Sequence, residues 1–305
     1  MSMRKALIPI LILINLLGSA CVYIVLPEGL DMAELKESKG WSAVVTNVGQ
    51  TDAGNLRIDL TIRNQTNDWS MMKAVDGEPA ILTSGGQAIE CDPAFVGTGG
   101  HRLAPGFQMR GYTGGTKSEP TIQLIYVECE GATAAPGAKL SIDYISYSGE
   151  LDYYHQEEGS ETGTLELDLD KVEQNLAYPI FEPVEGLIQP SDVSITGLSD
   201  NVLTLLEAQR IEKGFEFKWQ NYNPTEFALK LHIGNPPVIG SDGIIYGYYE
   251  IMDLASTPLT PAGGKVEWVT NAAVPPDLTG AYILLSVESK NMRLYVNYAI
   301  DISDK

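Results

Sequence analysis

From Trp41 onward the apolar residues recur at every second position, a period that a helix cannot use. Leu56-Arg57-Ile58-Asp59-Leu60-Thr61-Ile62-Arg63 alternates without error, as do Leu140-Ser141-Ile142-Asp143-Tyr144 and Leu165-Glu166-Leu167-Asp168-Leu169-Asp170. Phe215-Glu216-Phe217-Lys218-Trp219 and Leu294-Tyr295-Val296-Asn297-Tyr298 repeat the pattern in the second half. Successive side chains of a strand point to opposite faces, so each such run has one buried and one wet face. Turn-forming clusters separate the runs, among them Gly97-Thr98-Gly99-Gly100, Gly240-Ser241-Asp242-Gly243 and Gly263-Gly264. Many short strands with regular turns predict an all-β sandwich or barrel, and 305 residues suit two domains better than one. The segment 201–211 is compatible with a short helix or with a strand and turn.

The two halves also echo each other. Ile58–Trp69 matches Phe215–Phe227, and Leu103-Ala104-Pro105-Gly106 matches Leu259-Thr260-Pro261-Ala262. The pair Thr121–Cys129 and Lys139–Ile145 matches Ala281–Ser289 and Arg293–Ala299. Three blocks in the same order indicate two copies of one module. The expected layout is a membrane-directed segment over 1–26, a stalk over 27–40, a first β-sandwich over 41–172, a connector over 173–192 and a second β-sandwich over 193–305. Three prolines between Tyr178 and Pro190 favour an extended connector, or else an edge strand.

The N-terminus sets the address. Arg4 and Lys5 precede Ala6–Leu26, which carries no charge. As a helix that run would span ~31 Å, close to the thickness of a bilayer's hydrocarbon core. Positive charge before the run keeps it cytoplasmic and places the remainder outside. The run is either an uncleaved signal-anchor helix or a signal peptide. Leu17-Gly18-Ser19-Ala20-Cys21 resembles the lipobox of bacterial lipoproteins, which would make Cys21 the lipidated residue. It departs from that pattern in having Gly18 where an aliphatic residue is usual, and in staying apolar through Leu26.

A strand ending in Arg63-Asn64-Gln65-Thr66, then Leu103-Ala104-Pro105-Gly106, then Gln123-Leu124-Ile125-Tyr126, resembles the telokin-like, immunoglobulin-like domains of prokaryotic lipoproteins and surface proteins. The resemblance covers mainly the first module. It implies an extracytoplasmic β-sandwich without family-wide catalytic residues; with the repeat and the apolar run, the expected fold is two tandem immunoglobulin-like β-sandwich domains after an N-terminal hydrophobic helix.

The side chains that carry chemistry are sparse. Beyond Cys21, the only thiols are Cys91 and Cys129, which are either a disulfide tying a loop to the sheet or two buried free thiols. In the repeat Ser289 stands where Cys129 does. His101, His155 and His232 have no second ligand at metal-binding spacing, so no metal or cofactor is expected. Glu166, Asp168 and Asp170 read as a solvated strand face. Asn64-Gln65-Thr66 is a glycosylation sequon, which Pro224 spoils in Asn223-Pro224-Thr225. Tyrosines cluster as Tyr144, Tyr147, Tyr153 and Tyr154, and again as Tyr246, Tyr248 and Tyr249 near Asp242. The second cluster is the candidate ligand platform, because exposed tyrosines stack on sugar rings and anchor interfaces.

A net charge of −20, from 40 acidic and 20 basic residues, excludes a nucleic-acid partner. The expected function is a non-catalytic, membrane-anchored module at the cell surface that binds or scaffolds a protein or glycan. The alternatives are a glycan-binding or carbohydrate-active protein, with Asp242, Glu250 or Asp253 as acid–base carboxylates, and a small-ligand or cation-binding lipoprotein.

Overall fold

In the computed structural model, the described residues are 40–116, 119–148, 160–173, 187–188, 194–196, 202–212, 214–229, 232–233, 237–247, 258–275, 278, 281–288 and 295–302. The expected anchor with Cys21, the stalk and most of the connector lie outside them, as do His155, Tyr153, Tyr154, Tyr248, Tyr249, Glu250, Asp253 and Ser289.

Every regular element among the described residues is a strand, so the protein is all-β. The first half contributes β1 (Trp41–Gln50), β2 (Leu56–Asn64), β3 (Ser70–Ala74), β4 (Ala80–Ser84), β5 (Gln87–Cys91) and β6 (Gln108–Met109). It continues with β7 (Gly111–Thr116), β8 (Glu119–Leu124), β9 (Tyr126–Cys129), β10 (Lys139–Ser148) and β11 (Ser160–Asp168). The second half holds β12 (Leu187–Ile188), β13 (Ser194–Thr196), β14 (Val202–Ile211), β15 (Gly214–Tyr222) and β16 (His232–Ile233). It ends with β17 (Val238–Gly240), β18 (Ile244–Tyr246), β19 (Lys265–Ala273), β20 (Ala281–Glu288) and β21 (Tyr295–Asp301). The segment that the sequence left between helix and strand is β14.

In the first half, β2 lies between β1 on one side and β6 and β9 on the other. A second sheet runs β11-β10-β4-β5, with β3 also on β10. The inward faces meet in one core. Ile58, Leu60 and Ile62 of β2 share it with Leu82, Leu140, Ile142, Tyr144 and Leu165. Alternation along β2 is what aims those three at the partner sheet. Burying each such side chain is worth roughly 1.5–3 kcal/mol.

The second half repeats this arrangement pair by pair. On the β1–β2 hairpin, Val45 faces Leu60 and Asn47 faces Asp59, so Thr46 is bulged out. On the β14–β15 hairpin, Leu205 faces Trp219 and Glu207 faces Lys218, so Leu206 is bulged out. Phe215, Phe217 and Trp219 fill the core as Leu56, Ile58 and Leu60 do in the first half. The counterpart of β10 is β20, because both pair with the two strands that follow the Asn-x-Thr turn.

That register corrects the sequence matches: Ile58 corresponds to Phe217 and not to Phe215, Leu103 to Thr260 and not to Leu259, and the third match fails. Thr121–Cys129 and Lys139–Ile145 do not form a hairpin: β9 belongs to the sheet of β2, and β10 to the facing sheet. Cys129 faces Leu56, and in the second half Ala272 faces Phe215, so Ala272, not Ser289, stands in the place of Cys129. Alternation identifies a strand but not its partner, and two alternating runs in series look alike whether or not they pair.

The sheets are also continuous between the halves. The order β12-β21-β20-β17-β18-β7-β8 adds a first-half hairpin to a second-half sheet, with β7 parallel to β18. Both faces of this sheet are covered. Val238, Ile244, Tyr246, Ile283 and Ile300 enter the second core, while Ile239, Ile245, Tyr282, Leu284 and Ala299 join the first. Phe107 meets Tyr282 edge-on at 5.3 Å between ring centres.

Candidate functional site

A cleft of about 660 Å³ lies beside Cys91, lined by Lys73, Asp76, Glu78, Glu90 and Asp92 with Pro79 and Pro93. Its position follows from the strands. β3 ends at Ala74 and turns through Asp76-Gly77, where Gly77 has φ +80°. β5 ends at Cys91, and Asp92 then opens a turn by accepting the Ala94 N–H on Oδ1 at 2.8 Å. Lys73 pairs with the exposed Asp76, whose hydrogen bond raises the ammonium's pKa above its ordinary value.

Cys91 and Cys129 are joined across the back of this cleft. Asp92 and Glu128 exchange both backbone hydrogen bonds, at 2.7 and 3.1 Å. The next pair along, Cys91 opposite Cys129, is therefore a non-hydrogen-bonded antiparallel site. Such sites bring Cα atoms closest, and here they are 4.3 Å apart. The bond links β5 of one sheet to β9 of the other, so it staples sheet to sheet and not loop to sheet as the sequence suggested. It also removes the one thiol the cleft would offer as a nucleophile. What remains is a carboxylate-rich hollow with one ammonium, able to receive a cationic or hydroxylated group. Among the described residues no cluster of His, Cys, Asp and Glu is placed to hold a metal ion.

The remaining sequence candidates fall elsewhere. Tyr246 is buried, and its hydroxyl donates to Asp242 Oδ2 at 2.6 Å, while Asp242 Oδ1 accepts the Ile244 N–H at 3.1 Å. The pair braces the β17–β18 turn and is not an exposed stacking surface. Apolar neighbours on both faces of β18 are the reason. Tyr144 is likewise core. Asp168 and Asp170 serve a turn: Asp168 accepts the Asp170 N–H, and Asp170 accepts the Gly137 N–H at 2.7 Å. His101 sits beside the Tyr112 ring, and burial lowers its pKa to about 4, so it is neutral at ordinary pH. His232 lies on β16.

The sequon is not a glycan site either. Asn64 is fully buried, and its NH₂ donates to the carbonyls of Asp68 and Leu103, both at 2.8 Å. Its Oδ1 accepts from Thr66 N–H and Oγ1. Asn-x-Thr is here a turn motif that happens to match the acceptor pattern.

One surface was missed by sequence reasoning. Phe227 is 74% exposed and Leu259 is 62% exposed, the two most exposed large apolar side chains among the described residues. Both flank Asn223, whose amide donates to the carbonyls of Phe227 and Thr260. In the first half the same turn carries Asp68 and Arg102 at those positions. The sequence match hid it by pairing Phe227 with Trp69 and Leu259 with Leu103; only the structural register sets the two against Asp68 and Arg102.

No family model matches the chain, and no curated protein matches it. Among solved structures it is similar to the E. coli chaperone DraB at 13% identity, over 85% of this chain and 96% of that one, with a TM-score of 0.19. It is similar to red sea bream transglutaminase at 7% identity, over 86% of this chain and 31% of that one, with a TM-score of 0.20. It is also similar to the CsuC–CsuE chaperone–tip adhesion subunit complex of Acinetobacter baumannii at 9% identity, over 82% and 93%, with a TM-score of 0.15. Overlaps this loose decide neither fold family nor function.

Proposed function

We propose that this protein is a membrane-tethered, extracytoplasmic, non-catalytic scaffold built from two tandem immunoglobulin-like β-sandwich modules. The observation that carries the reading is the Cys91–Cys129 staple between sheets, since such bonds persist in oxidising compartments and are rare in the cytosol. The uncharged run Ala6–Leu26 behind Arg4 and Lys5 supplies the tether. The shared bulge positions and the shared Asn-x-Thr turn support two copies of one module. Binding falls to surfaces, the Lys73–Asp92 cleft and the Phe227–Leu259 turn. The glycan-platform alternative rests on Tyr248 and Tyr249; Tyr246 and Asp242 do not support it.

The test is thiol labelling on intact cells, with the native protein then recovered from the membrane fraction. The reading expects Cys91 and Cys129 to resist a maleimide until a reductant is added, and the chain to sediment with membranes. Free labelling of both thiols, or recovery of the chain in the soluble fraction, would overturn it. Intact mass of the extracted protein separates a lipid on Cys21 from an uncleaved helix.

A further inference from the structure

We propose that Gly111–Leu124 is a latch, inserted into the first module, that caps the β18 edge of the second and adds to the coupling the shared core already gives. This rests on the reading of the halves as copies of one sandwich. The second half shows the uninterrupted form: β19 runs along β15 from Lys265 to Ala273 without a break. In the first half the same strand is split. β6 pairs with Arg63 and Ile62, β9 pairs with Asp59 to Leu56, and the β7–β8 hairpin emerges between them. Arg110 and Ile125 close its base, with the Ile125 N–H donating to the Arg110 carbonyl at 2.9 Å. They stand where Glu267 and Trp268 are adjacent in the second half.

The hairpin does not serve its own sheets. Gly111 and Tyr112 pair with Ile244 and Ile245, and the Arg110 N–H donates to the Gly243 carbonyl at 3.0 Å. Thr113 Oγ1 donates to the Gly247 carbonyl at 3.1 Å and accepts the Gly247 N–H at 3.2 Å. Leu124 packs against the second core. Gly111 is tight on both sides: a Cβ there would lie 2.6 Å from the Gln123 carbonyl of its own hairpin and 3.1 Å from Ile244 Cδ1 of β18.

The two equivalent edges differ as a latch requires. In β5, which no hairpin covers, Gln87 and Ala88 are exposed and Ile89 is half-buried. In β18, which the hairpin covers, Ile244, Ile245 and Tyr246 are all buried. An edge apolar on both faces is an aggregation hazard when bare, so the second module's edge is matched to a cover that only the first module supplies. A lone two-stranded hairpin is marginal in water, so the hairpin in turn depends on that edge.

The experiment compares the full chain in detergent with a variant lacking Gly111–Leu124, in which Arg110 joins Ile125 and restores the uninterrupted strand. Wild type is expected to melt in one calorimetric transition. The deletion is expected to melt at a lower temperature, with hydrogen-exchange protection at Ile244–Tyr246 falling by about tenfold or more while that of β2 and β15 persists. Unchanged β18 protection would overturn the latch. Loss of protection at Leu60 and Ile62 instead would mean that the joined strand does not form, which overturns the repeat reading. If the deletion variant does not fold, Thr113→Val, which removes both side-chain bonds to Gly247 and keeps the hairpin's own backbone pairing, decides: lost β18 protection supports the latch, and unchanged protection overturns it.

Discussion

Asn64 and Asn223 occupy the same place in the two halves and make the same bonds. Each is buried at the end of its core strand. Each accepts from the N–H and hydroxyl of the threonine two residues on, at 2.9 and 2.8 Å for Asn64 and 3.0 and 2.7 Å for Asn223. Each donates to the carbonyl four residues on, Asp68 or Phe227, and to that of Leu103 or Thr260 across the gap. A side-chain amide here replaces the ladder that the backbone lacks at the turn. Replacing either by alanine removes these four bonds at once, each worth about 0.5–1.5 kcal/mol net, while the carbonyls keep the threonine hydroxyl and the Ser70 or Leu229 N–H. Asn64→Ala and Asn223→Ala are each expected to lower unfolding free energy by about 3 kcal/mol, read as the shift in urea midpoint. A cost below about 0.5 kcal/mol would contradict the shared role. In a host that glycosylates, the wild-type intact mass is expected to show no glycan on Asn64.

The disulfide closes a loop with a sequence separation of 38. In the chain-entropy picture that stabilises by about 3–4 kcal/mol, because the unfolded chain loses freedom. The double variant Cys91→Ala/Cys129→Ala is expected to lose that amount in denaturant unfolding. Added reductant should move wild type toward the variant and leave the variant where it is.

His101 supplies a pH dependence with a definite sign. Burial disfavours the imidazolium, so the folded pKa is about 4 against an ordinary 6.5. Between those values the unfolded chain holds a proton that the folded chain refuses. The contribution is complete above pH 6.5, declines as pH falls toward about 4, and changes no further below that. The window is worth at most about 3 kcal/mol at 1.36 kcal/mol per unit. Carboxylates titrate in the same range, so the informative quantity is the difference between wild type and His101→Gln. That difference should shrink from pH 7 to pH 4.5; a constant difference would place the imidazole in water.

Much of the body was legible because alternation is a direct consequence of strand geometry. Leu56–Arg63 and Phe215–Trp219 became β2 and β15 with their apolar faces inward. Some breaks were legible too, since Gly99 and Gly243, from two of the glycine clusters, sit at turns with positive φ. Pairing was less visible. Nothing in Thr121–Cys129 announces that one continuous run divides between β8 in a second-half sheet and β9 in a first-half sheet, with Ile125 between them. Burial on both faces was also hidden: Ile244-Ile245-Tyr246 is too short to distinguish a doubly covered strand from an exposed aromatic patch. That ambiguity turned Tyr246 into a platform candidate.

The brace between Tyr246 and Asp242 can be separated from ligand binding by a double-mutant cycle. The hydroxyl and the carboxylate are 2.6 Å apart, one partner charged and the other buried in the second core. A hydrogen bond to a charged group is worth about 1.5–3 kcal/mol. Tyr246→Phe and Asp242→Ala are therefore expected to destabilise by about 1.5–2 kcal/mol each, with the double variant costing clearly less than the sum. The missing part is the coupling between the two groups. If Tyr246 instead presented its ring to a sugar, Tyr246→Phe would keep the stacking face and leave stability unchanged, and the two substitutions would add. Urea midpoints of the four proteins decide between these outcomes.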